Sequence, residues 1–163
     1  MKILVPVDAS WAALAPIAHL AGLRMKAEVL VLNVQPRFSR HVSRFTGRSA
    51  RDALRAERSR AAMARAIETL SLSRVPFRAL TEVGAPAERI AAVAEREGVD
   101  EIMMGVGRHP AWLRWLNPSI AQGVMARTDI PVSVFARGRP GMLERFAVPA
   151  GVAGLAALLL TAE

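Results

Sequence analysis

Few side chains in this 163-residue chain are of the types that do covalent or metal chemistry. Cysteine is absent, which excludes a thiol nucleophile, a disulfide scaffold and any Cys-ligated metal. His19, His41 and His109 stand far apart and form no metal-ligand spacing. There is no Gly-x-Ser-x-Gly elbow, no His-Glu-x-x-His and no complete P-loop ending in Lys-Ser/Thr. No catalytic residue is therefore assigned, and the chain reads as a non-enzyme. His109, beside Arg108, could act as a base, but a solvated loop histidine is the simpler reading. Asp8 closes the first apolar run, where open α/β sheets place a ligand crevice. It is either an acid facing that crevice or a cap for the helix that follows.

Charge is the second chemical feature. The formal net charge is +8, and the stretch from Arg37 to Arg60 holds eight arginines against Asp52 and Glu57. Most of the excess charge is thus local. Arg37, Arg40, Arg44, Arg48, Arg51, Arg55 and Arg58 recur at intervals of three or four, which would set them on one face of a continuous helix. Gly47 is expected to interrupt that helix, leaving Arg48 to Arg58 aligned. Such a face can meet nucleic acid, acidic lipid or an acidic protein. Phe38 and Phe45 interleave with it, but no RNA-binding motif accompanies them, and a solvated basic helix is the simpler reading.

Five apolar runs would position these residues. Ile3–Val7, Glu28–Val34, Glu101–Val106 and Ile130–Phe135 read as strands, nearly continuous in Val, Ile and Leu as in a parallel sheet covered on both faces. Phe77–Val83 alternates, as an edge strand does. Between them lie helical stripes: Leu14, Ile17, Ala18 and Ala21 with Ser10 as cap, then Met63, Ile67 and Leu70, then Ala87, Ile90, Ala91 and Ala94 between Pro86 and Gly98. Asn117-Pro118 is expected to open a last helix running to about Arg127. Strands alternating with helices give an α/β, Rossmann-like doubly wound, mainly parallel five-stranded sheet with helices on both faces. With 52% hydrophobic and 22% charged residues the chain is not a disordered protein, and its length suits one domain, 1–137, followed by an apolar tail, 138–163. The N-terminus shows no apolar signal region, so a cytoplasmic location is expected.

In order and spacing, several segments resemble the universal stress proteins of the single-domain UspA type. They are Ile3 to Ser10 (Ile-Leu-Val-Pro-Val-Asp-Ala-Ser), Leu32-Asn-Val34, Glu82 to Ile90 (Glu-Val-Gly-Ala-Pro-Ala-Glu-Arg-Ile), Asp100 to Gly105 and Ile130-Pro-Val132. The resemblance covers the chain to about Ala136 and implies a stress-adaptation homodimer, often paired through the last strand. Nucleotide-binding members resemble one another in a Gly-x-x-Gly, nine residues, Gly-Ser/Thr cradle after the fourth strand, where backbone N–H groups and a helix N-terminus meet phosphate. Gly105 and Ser119 match the ends of that pattern, whereas Arg108 and Pro118 replace its second and third glycines. Arg108 brings a side chain where backbone should approach, and Pro118 has no N–H to give. The guanidinium of Arg108 could clamp a phosphate instead, so ATP is a possible but weak cofactor. By the same resemblance Asp8 and Val34 fall beside the ligand and the adenine; Val34 also reads as an ordinary strand end. Trp112 and Trp115 could stack on a base, but filling the crevice or packing on a neighbour is the simpler reading.

Phe146 to Leu160 is an apolar run preceded by Glu144-Arg145. As a helix it would extend roughly 22 Å, short of a bilayer core of about 30 Å, and Pro149, Gly151 and Gly154 weaken it further as a span. Burial against the domain or a dimer partner is the first expectation, and association with a membrane surface the second.

Overall fold

A computed structural model describes residues 1–23, 27–37, 47–106 and 120–136. Its elements are β1 (Lys2–Pro6), α1 (Leu14–Gly22), β2 (Glu28–Gln35), α2 (Arg48–Leu72), β3 (Phe77–Val83), α3 (Pro86–Glu97), β4 (Glu101–Val106), α4 (Ile120–Met125) and β5 (Val132–Ala136). The five strands form one sheet in the order β3-β2-β1-β4-β5, and every pairing is parallel. The alternating run Phe77–Val83 is indeed an edge.

Each β-branched run feeds both faces. Ile3, Val5, Val29, Val31 and Met103 point to α1 and α2, where they meet Ile17, Leu20, Met63, Ala66 and Leu70. Leu4, Leu30, Leu32, Ile102 and Met104 point the other way, onto Ile90, Val93 and Ala94 of α3 and Ala121 and Val124 of α4. This two-sided burial is why the strands are continuously apolar rather than alternating. Pro86 stands in the first turn of α3, and Gly98 ends it in the left-handed conformation (φ 60°, ψ 55°), where L side chains are disfavoured.

Helix α1 departs from its expected form. It starts at Leu14, with Ala13 as N-cap and no side-chain cap bond. The Ser10 hydroxyl instead accepts the Ala13 N–H at 3.4 Å, in the turn that precedes the helix. The buried stripe is Ala13, Pro16, Ile17 and Leu20, while Ala18 is exposed. Alanine is small enough to be indifferent to either face, so the bulkier Pro16 and Leu20 set the rotation. Residues 117–119, the expected start of α4, lie outside the described residues.

Candidate functional site

The strand order reverses between β1 and β4, and open α/β sheets take ligands outside the carboxyl ends of the strands at that point. Two register facts assemble the site there. Leu4 is paired with Ile102, so carrying the register forward sets Val7 level with Gly105. On the other side Pro6 pairs with Leu32, and the Val7 N–H donates to the Leu32 carbonyl at 2.8 Å. Asp8, Val34 and Gly105 are thereby gathered at one end of the sheet.

Their local roles differ. Asp8 is exposed, and its Oδ1 accepts the Ser10 N–H at 2.8 Å, a side-chain-to-backbone turn. It caps the β1–α1 turn rather than α1 itself. Val34 is half-buried against the α3-side core beside Leu80 and Ala87. Gly105 is pressed from the α1 side. A Cβ there would lie 2.0 Å from the Ala12 carbonyl oxygen and 2.9 Å from Ala13 Cα. The missing side chain admits the backbone of the β1–α1 turn onto β4. Arg108, His109, Trp112, Trp115, Pro118 and Ser119 lie outside the described residues, as do Arg40, Arg44 and the tail from 137 onward.

Sequence reasoning assigned no role to a polar pair in the floor. Asn33 is buried, and its Nδ2 donates to the Val7 carbonyl at 2.8 Å while its Oδ1 accepts Gln35 Nε2 at 2.6 Å. This pair ties the last residue of the β1 run to β2 beneath the crevice. The signal was one amide inside an otherwise apolar run, since a buried polar group requires a partner. Trp11 marks the rim: 62% of its surface is exposed, and the Arg65 guanidinium of α2 lies 4.1 Å from its ring centroid.

The opposite end of the sheet is held by ions. Lys2 Nζ donates to the Glu97 carbonyl at 2.8 Å, and the Lys2 N–H donates to Asp100. Arg78 and Arg96 both bind the Glu97 carboxylate, and Arg96 reaches along the β3 edge to Glu82, level with Val34, at 2.9 Å. The hydrogen bond from Arg78 holds the Glu97 carboxyl below the usual range. An open groove of about 650 Å³ between Met1, Lys2, Arg74 and Asp100 also lies at this end, away from Asp8 and Gly105. Among the described residues no cluster of His, Asp and Glu could hold a metal ion, and no helix is long and apolar enough to cross a membrane.

A five-stranded parallel α/β sheet with its open end at a β1/β4 switch point defines a Rossmann-like protein. The model of the universal stress protein family matches residues 1–136. The chain belongs to that family. Its fold is similar to a hypothetical protein solved as a structural-genomics test case for assigning biochemical function, with 27% identity over 85% of this chain and 96% of that one and a TM-score of 0.67. It is also similar to the universal stress protein UspA of Lactobacillus plantarum (22% identity, 83% and 97% covered, TM-score 0.61). A universal stress protein family protein of Arabidopsis thaliana, solved with AMP bound, shares the fold at 14% identity, with 86% and 94% covered and a TM-score of 0.61. Comparison with the curated proteins gave no match.

Proposed function

We propose that this is a non-enzymatic stress-adaptation homodimer whose switch-point crevice takes an adenine nucleotide only weakly. The observation that carries the reading is Gly105. Its open face is already filled by the backbone of Ala12, while the sequence substitutes Arg108 and Pro118 for the two later glycines of a phosphate cradle. Strand ends and an exposed Asp8 remain for a nucleoside, and Pro118 has no N–H to give a phosphate. The AMP-bound relative supports the nucleotide class. Pairing through the β5 edge accords with exposed Val134 on that strand and with exposed Ile120 and Met125 on α4. The apolar tail is proposed to cover this region, within one protomer or across two.

Isothermal titration of the purified protein with ATP and with AMP tests the crevice. Dissociation constants weaker than about 100 μM, roughly −5.5 kcal/mol, are expected. Low-micromolar affinity for either nucleotide overturns the reading. The double variant Arg108→Gly with Pro118→Gly should bind ATP more tightly, because it restores both lost glycines.

A further inference from the structure

The pairing of β1 with β2 stops one bond early, and the residue responsible is Asn33. Along β2 the even-numbered residues turn their main-chain groups to β1: the Glu28 N–H donates to the Met1 carbonyl, and the Leu32 carbonyl accepts the Val7 N–H. The odd-numbered residues turn theirs to β3, where the Val29 N–H donates to the Pro76 carbonyl and the Gln35 carbonyl accepts the Gly84 N–H. In a parallel ladder the next bond would run from the Val34 N–H to the Val7 carbonyl. The ladder ends at Pro6 and Leu32, and among the described residues that bond is missing. The Val7 carbonyl accepts the Asn33 Nδ2 in its place, at 2.8 Å.

The amide is oriented for this bond. Asn33 is buried, on the face of β2 that carries Val29 and Val31 to α1 and α2. Its Oδ1 accepts the Gln35 Nε2 at 2.6 Å, which turns the Nδ2 end to Val7. An aliphatic side chain here would continue the apolar series and leave the Val7 carbonyl to the Val34 N–H. A buried amide carries a desolvation cost that such a side chain does not, so packing alone does not explain it. Beyond Val7 the chain leaves the sheet through the turn fastened by Asp8 and Ser10. The Val34 side chain packs on the α3-side core. Its N–H and C=O therefore face the space past the end of β1, at the carboxyl end of the sheet.

We propose that Asn33 is a positioning residue of the crevice: by taking the Val7 carbonyl, it keeps the main chain of Val34 open to the edge of a nucleobase. A strand N–H beside a C=O matches a ring-nitrogen acceptor next to an exocyclic amine, which adenine presents. The identity of the ligand rests on the nucleotide reading above, whereas the bond exchange at Val7 does not.

Amide hydrogen exchange followed by NMR on the full chain, with AMP as the probe ligand, tests it. In the parent the Val34 N–H should exchange at least about tenfold faster than those of Leu32 and Gln35, which lie within ladders. Asn33→Leu should complete the missing bond. Val34 exchange then slows by about tenfold relative to Leu32 and Gln35, and AMP binds about three- to tenfold more weakly. A merely structural loss would instead speed all three amides together. If Asn33→Leu fails to fold, Gln35→Leu at the half-buried neighbour releases the amide and should shift Val34 exchange and AMP affinity in the same directions. The proposal is overturned if Val34 exchanges as slowly as Leu32 in the parent, if the variants leave its relative exchange unchanged, or if they slow it while AMP binds as before. A parent that binds no AMP refutes the nucleotide reading instead, and Val34 exchange still decides the role of Asn33.

Discussion

Replacing Gly105 by alanine adds one methyl group, and the surroundings of that methyl set the magnitude. The new Cβ would meet the Ala12 carbonyl oxygen at 2.0 Å, its carbon at 2.6 Å and Ala13 Cα at 2.9 Å. All three are backbone atoms, so no side chain can swing aside. Relief requires the turn before α1 to move by more than 1 Å, roughly the shortfall from ordinary carbon–oxygen contact. Ala13 is buried against Ile17 and the β4 side of the core, and the turn is fastened by Asp8 and Ser10. Overpacking of this kind costs about 1–3 kcal/mol, and an unyielding backbone neighbour places this variant near the upper value. For a domain of this size about 3 kcal/mol corresponds to a fall in Tm of roughly 6–12 °C. Urea unfolding followed by far-UV circular dichroism reads it directly. Gly22→Ala is the control: it lies at the end of α1 with nothing within 4 Å of an added Cβ. That change should be neutral or stabilise by about 0.5–1 kcal/mol. A Gly105→Ala protein within about 0.5 kcal/mol of the parent, the range of inert surface changes, would refute the close approach of the β1–α1 turn.

Two further outcomes are expected. The Glu97 carboxyl is held below its ordinary pKa by Arg78, so its stabilising contribution is present above the unfolded value and is lost as pH falls through the folded one. Urea midpoints measured between neutral and acid pH should therefore decline less steeply in Glu97→Gln than in the parent, and identical profiles would contradict the assignment. Truncation after Gly141 should lower the dimer fraction in sedimentation velocity or expose dye-binding apolar surface, without moving protein between membrane and supernatant. Full-length protein that pellets with membranes, beside a truncated form that does not, would refute self-association as the role of the tail.

The strands were legible because two-sided burial leaves an unmistakable composition. Val29, Leu30, Val31 and Leu32 are all buried because neither face of β2 meets water. The edge position of β3 was legible for the converse reason: Arg78, Ala79 and Thr81 are exposed. The start of α1 was misread because Asp8 and Ser10 carry a real capping signal that serves the turn before the helix. At the crevice, sequence order was enough to bring Asp8, Val34 and Gly105 to neighbouring strand ends. It could not reveal that Gly105 faces Ala12, because that contact joins residues 93 apart through the β1–β4 pairing. The Asn33 amide was visible as a polar residue in an apolar run, but its partner, the Val7 carbonyl, lies just past the end of β1, 26 residues away in the chain.

The spacing of the arginines was also legible, but their direction was not, and direction changes what the spacing means. From Ser59 to Leu70 the helix repeat is spent on core residues, and packing explains it. Past about Arg55, where the helix outruns the end of β3, there is no sheet left to pack against, so packing no longer dictates which flank carries which residue. Leu54 is exposed there, as expected of a segment with no core to serve. A merely solvated helix would gain from dispersing its cations around the circumference, since like charges at i,i+4 spacing repel. Arg51, Arg55 and Arg58 nevertheless gather on the side that lower down carries Arg65 onto Trp11, and the pairing of Arg55 with Asp52 at 3.0 Å relieves part of that repulsion within the helix itself.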